Sequence, residues 1–217
     1  MTDTSPRSRR AFVSALSWLA GLATTIPAGR AEAGQAAATP AGIDLAWVDE
    51  LQGRHMLVFD MADTDPASQP PPLRLPRNYM DGFRDVYRQA FPDVRTVVGI
   101  SGRAFPINAS DRLWKKYGLG ERSKIVDPVT KLPSERNLYL DDPTLGVKAL
   151  QARGTIFWQC GIALDGIAGQ LAAARALPVA EVRADLAAGL NPGVRIVPSH
   201  VMALGLVQEK GAGYAKI

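Results

Sequence analysis

Short apolar runs alternating with stretches of helical spacing leave this chain few folds to choose from. His55-Met56-Leu57-Val58-Phe59-Asp60, Arg95 to Ile100, Thr155 to Cys160 and Val194 to Val197 each read as a buried strand, and Tyr214-Ala215-Lys216 as a last short one. Between them, Tyr79, Phe83, Val86, Tyr87, Ala90 and Phe91 recur at helical spacing, with Asn78 as N-cap and Pro92 as the stop. Further helices are expected over Asn108–Tyr117, Pro143–Arg153, Ile162–Ala176 and Val179–Ala188, and from a Ser199 cap to about Lys210. Near-continuously apolar strands that alternate with helices predict an α/β fold with a mainly parallel sheet, covered on both faces.

Two stretches break the pattern. Residues 63–77 contain Pro66, Pro70, Pro71, Pro72 and Pro76 and read as a surface loop. Residues 118–141 are polar and interrupted by proline, and read as an excursion that covers a site or an oligomer contact.

With 217 residues, 47% of them hydrophobic, the chain suits one domain with a substantial core. The formal charge of +4 is uneven. The first 33 residues hold Arg7, Arg9, Arg10 and Arg30 against Asp3 and Glu32, so the remainder carries only +2. That is too little for a nucleic-acid footprint. A single cysteine excludes an internal disulfide, and two histidines with one cysteine give no metal-ligand spacing. Gly161-x4-Gly166 lacks the Lys-Ser/Thr of a phosphate loop, and no Gly-x-Ser-x-Gly elbow is present. No cofactor is expected.

Ser8-Arg9-Arg10-Ala11-Phe12-Val13 looks like a twin-arginine export motif. A weakly apolar run from Ala11 to Ile26 follows, shorter than the roughly 18–20 residues that span a bilayer. Ala31-Glu32-Ala33 then resembles a signal-peptidase site. The expected organisation is a signal peptide over residues 1–33, a flexible segment over 34–50 and one α/β domain over 51–217. Its location is the bacterial periplasm, reached through the Tat translocase, with no stable membrane insertion.

In parallel α/β sheets, functional groups gather beyond the carboxyl ends of the strands. That rule selects Asp60, Ser101, Cys160 and the pair Ser199/His200, each of which ends or follows a strand. Cys160 also precedes a helical run, and a helix N-terminus favours the thiolate anion. His200 is the available base for a Cys–His pair.

The last third carries a resemblance. Phe157-x-x-Cys160, then Leu190-x-Pro192-Gly193-Val194-x-Ile196-Val197-Pro198-Ser199, then Leu206-Val207-Gln208-Glu209-x-Gly211-x-x-Tyr214 resembles the DsrE/DsrF-like family. The resemblance implies a three-layer α/β sandwich and a homo-oligomer. It also implies, for some members, relay of sulfur as a cysteine persulfide between donor and acceptor proteins. The family's cysteine position falls on Cys160. Two functions stay open: a sulfur (persulfide) carrier or thiol-redox protein using Cys160, and a non-catalytic module that binds a small ligand or partner around a structural Cys160.

Overall fold

The structure is a computed structural model that describes residues 45–69 and 71–217. The expected signal peptide, with Arg9 and Arg10, and most of the expected flexible segment lie outside the described residues. Strands β1 (His55–Met61), β2 (Val94–Ile100), β3 (Ile156–Cys160), β4 (Arg195–Val197) and β5 (Gly213–Lys216) form one sheet in the order β4-β3-β2-β1-β5. Every neighbouring pair is parallel. The sheet's covered faces explain the sequence: six of the seven residues of β2 are buried, which only a strand packed on both sides requires.

Nine helices occur among the described residues: α1 (Ala46–Asp49), α2 (Arg74–Tyr87), α3 (Phe105–Asn108), α4 (Asp111–Tyr117), α5 (Leu119–Arg122), α6 (Val147–Ala152), α7 (Gly161–Arg175), α8 (Val179–Ala188) and α9 (His200–Glu209). On one face of the sheet, Val58, Val97, Trp158 and Val197 meet Trp47 and Val48 of α1 and Ala203 and Val207 of α9. On the other, Phe59, Met61, Val98, Ile100 and Phe157 meet Met80 of α2, Ile107 of α3, and Val147 and Leu150 of α6. A third cluster joins Leu164 and Leu171 of α7 to Leu186 of α8 and to Leu113 and Trp114 of α4. The result is the three-layer α/β sandwich.

Several boundaries differ from those expected, each for a local reason. The helix expected from Asn78 starts at Arg74, so the proline-rich stretch is not loop throughout. Pro76 sits in the first turn, where an amide would have no helical partner in any case. That helix ends at Tyr87, where Arg88 turns left-handed with φ 57°. The helix expected over 108–117 is two, because Ala109 is extended and bridges Leu190 while the Ser110 amide donates to the Gly189 carbonyl. The helix expected from Pro143 starts at Val147, since Asp142 instead closes a turn on the amides of Thr144 and Leu145. The Leu145 amide, and after it the Thr144 amide, hold the Asp142 carboxyl below the usual carboxylate range.

Of the segment expected to be flexible through residue 50, the described residues 45–50 contain the helix α1. Trp47 is 2% exposed and meets Trp158 with ring centroids 6.0 Å apart, so the packed domain begins before residue 51. Trp47→Ala is expected to lower stability by about 3–5 kcal/mol in urea unfolding. An unchanged midpoint would show that α1 is not part of the core.

Candidate functional site

Strand register builds one side of the sheet's carboxyl edge. Asp60 of β1 stands opposite Gly99 of β2, and Gly99 opposite Trp158 of β3. A Cβ on residue 99 would lie 2.4 Å from Trp158 Cζ2 and 2.9 Å from His200 Cε1. Glycine therefore lets the indole cross β2 and reach the first residue of α9. There the Trp158 Nε1–H donates to His200 Nδ1 at 3.1 Å. An indole nitrogen is a donor only, so Nδ1 is the acceptor and the neutral ring carries its proton on Nε2. Nε2 in turn donates to Asp60 Oδ1 at 2.8 Å.

Asp60 takes two more donors. The Ala62 amide reaches Oδ1 at 2.9 Å, and the Tyr214 hydroxyl of β5 reaches Oδ2 at 2.7 Å. Burial pushes the Asp60 carboxyl up, but the hydrogen bonds from Tyr214, Ala62 and His200 outweigh it and leave the group below its ordinary value. The Tyr214 hydroxyl is pushed up, first by its bond to that carboxylate. The backbone of Asp60 takes part as well, its carbonyl accepting from the Ile217 amide at 3.0 Å. Thr64 Oγ1 donates to the Ile217 carbonyl. The chain end is thus fastened to the edge at which β1 finishes.

Cys160 lies on the neighbouring stretch of the same edge. It is the last residue of β3 and the N-cap of α7, and its Sγ accepts from the Ala163 amide at 3.5 Å. It is 4% exposed. Ser101 precedes a 3-10 turn at Gly102–Ala104, and Ser199 precedes α9. Neither serine caps its helix with its side chain. The five expected residues do follow one edge. Only Asp60 and His200 are joined; both nitrogens of His200 are committed to Asp60 and Trp158, so the imidazole is not the partner of Cys160.

Sequence reasoning missed Trp158 and Tyr214 as members of this network. A buried tryptophan needs an acceptor for its N–H, which was the available signal for the first. Beyond the strand ends runs an open groove of about 550 Å³, bounded in part by the first turns of α7 and by residues of the 118–141 excursion. Among the described residues no group of three or more His, Cys, Asp or Glu side chains is placed to hold a metal ion. No described helix is long and apolar enough to cross a membrane.

No family model and no curated protein matches this chain. Among solved structures, the chain is similar to a protein of unknown function from Methanobacterium thermoautotrophicum. The two share 16% sequence identity over 75% of this chain and 99% of that one, with a TM-score of 0.40.

Two outcomes follow from the network. Gly99→Ala is expected to destabilise the fold by about 1–3 kcal/mol, because the added methyl drives Trp158 off its acceptor; indole fluorescence and urea unfolding read both effects. For Asp60 the folded carboxyl titrates below its unfolded value. Its stabilisation is therefore complete above the unfolded value and is lost as pH falls through the folded one. Asp60→Asn is expected to lose about 1–3 kcal/mol at neutral pH and to show a shallower decline of stability in acid than the parent. Parallel acid limbs would show that Asp60 does not carry this dependence.

Proposed function

We propose that this chain is an exported DsrE-like protein that carries sulfane sulfur on Cys160. One observation carries the reading: the only sulfur nucleophile ends a strand at the carboxyl edge of a parallel sheet and caps the N-terminus of the 15-residue α7. The aligned amides of such a terminus favour an anion, and the Ala163 N–H points at the sulfur. The pattern from Phe157-x-x-Cys160 to Gln208-Glu209 and Tyr214 supports the DsrE-like resemblance, and Arg9-Arg10 with Ala31-Glu32-Ala33 supports export by the twin-arginine route to the periplasm.

The chemistry is an exchange without net oxidation. The Cys160 thiolate attacks the outer sulfur of a donor persulfide. The donor's S–S bond breaks as the new one forms, and the donor leaves as its thiolate. An acceptor thiolate reverses the step. Donor and acceptor are partner proteins, and the carrier acts as a homo-oligomer. His200 is not required, because the attacking sulfur needs to be an anion and not to be deprotonated during the step.

The test is alkylation of the mature protein under native conditions, followed by persulfide loading. Cys160 is expected to be labelled without denaturant and to accept sulfur from a persulfide donor, and Cys160→Ser is expected to abolish loading while leaving the unfolding midpoint within about 1 kcal/mol of the parent. Labelling only after unfolding would overturn the carrier reading. Cys160 would then be a structural residue in a protein that binds a small ligand or partner.

A further inference from the structure

We infer that the groove beyond the strand ends binds a small organic anion, an apolar body bearing a carboxylate, sulfonate or phosphate. The inference uses residues other than Cys160 and stands or falls apart from the sulfur reading. The groove's volume of about 550 Å³ is that of a site for a small organic molecule. Arg103, Arg122 and Lys124 line it, with Asp65 the only carboxylate among the lining residues, a local net charge of +2. Arg103 is already matched, its guanidinium 2.8 Å from Asp65. Arg122 and Lys124 form no ion pair and no side-chain hydrogen bond among the described residues. Two cations thus border a concave surface without a partner.

The groove also has an apolar part, to which the partly exposed Ile167 contributes most. Phe105, Leu119 and Ile167 line the same groove, and Phe105 and Leu119 belong to the buried cluster beneath it. A bare inorganic ion would leave that surface unused, whereas a ligand with both an apolar body and an anionic group satisfies both parts.

The backbone that carries the cations is also fixed in advance. They lie on the segment that begins at α5, and this segment packs tightly on itself. The Ile125 amide donates to the Gly120 carbonyl at 2.8 Å, and the Ser134 amide to the Ile125 carbonyl at 2.9 Å. A Cβ on residue 120 would stand 2.2 Å from the Ser134 carbonyl oxygen, so only glycine permits this approach. Ordering paid during folding is not paid again on binding.

The test is a titration of the full chain with phenyl phosphate, followed by amide shifts in NMR, with benzyl alcohol and inorganic phosphate as comparisons. Phenyl phosphate is expected to shift Ala163, Gly166 and Ile167 saturably and to bind more tightly than either comparison. The double variant Arg122→Ala/Lys124→Ala, changed only at exposed positions, is expected to keep its unfolding midpoint and to bind about tenfold or more weakly, the loss of at least one charge-assisted contact. The same titration in Cys160→Ser is expected to be unchanged, which separates this site from any failure of the sulfur reading. Absence of saturable shifts, equal affinity for benzyl alcohol or for inorganic phosphate, or undiminished binding by the double variant would each overturn the inference.

Discussion

The indole of Trp158 occupies the space over Gly99 that a side chain would otherwise fill, and the organisation of one sheet face depends on that contact. A glycine inside a strand ordinarily weakens it, having no side chain to pack. Here the neighbouring strand supplies the packing, and the indole reaches a hydrogen-bond chain that runs from β3 over β2 to β1 and on to β5. The chemistry of the members fixes its direction. Tryptophan only donates, an ionised aspartate only accepts, and the histidine between them does both in one tautomer. The buried groups are thereby satisfied in a single arrangement. Removing any member leaves a buried donor or acceptor unmatched, which costs about 1–3 kcal/mol each.

A second polar layer holds the other side of the edge. Asn108 Nδ2 donates to the Trp158 carbonyl at 3.0 Å, and Asn137 Nδ2 to the carbonyls of Ile107 and Ala109. Asn191 Nδ2 also reaches the Ile107 carbonyl. The amides of Asn137 and Asn191 act where the helical ladder between α3 and α4 is broken and its carbonyls have lost their partners. Through Asn137 they fasten the 118–141 excursion to the body of the domain. Further out, Asp185 of α8 meets Arg112, Lys116 and Tyr117 of α4. Burial pushes the Asp185 carboxyl up, but the bonds from Lys116, Arg112 and Tyr117 prevail and bring it down to about 2. The segment that looks like an irregular insert is therefore held to the domain through the buried amide of Asn137, while the ion cluster ties α8 to α4.

The strands were legible because a parallel sheet buries both faces of each one. Arg95 to Ile100 reads as a strand without reference to any partner, and all five observed strands lie within one residue of the expected ends. Helix ends were less legible, since they depend on tertiary partners. Nothing local in Pro143-Thr144 announces that Asp142 will take the next two free amides for a turn. The strand-end rule found Asp60, Ser101, Cys160, Ser199 and His200, yet it is blind to which face a side chain leaves from. His200 and Cys160 both follow strands, but His200 is turned onto the face that carries Trp158 and Asp60. Trp158 is a core residue; its second role exists only because residue 99 has no side chain.

This division of the edge limits the chemistry open to it. The imidazole is the base that sequence would pair with the thiol, and both of its nitrogens are consumed in holding β1 and β3 to α9. Drawing it toward Cys160 would leave a buried carboxylate with one donor fewer and a buried indole N–H with no acceptor. Reactivity at Cys160 must then come from the backbone, from the α7 terminus and the Ala163 amide, and from whatever charge a bound partner brings. That is a weaker form of activation than a dedicated base. Under the proposed carrier function, it suits a residue that passes a group on better than one that must generate its own nucleophile at every turnover.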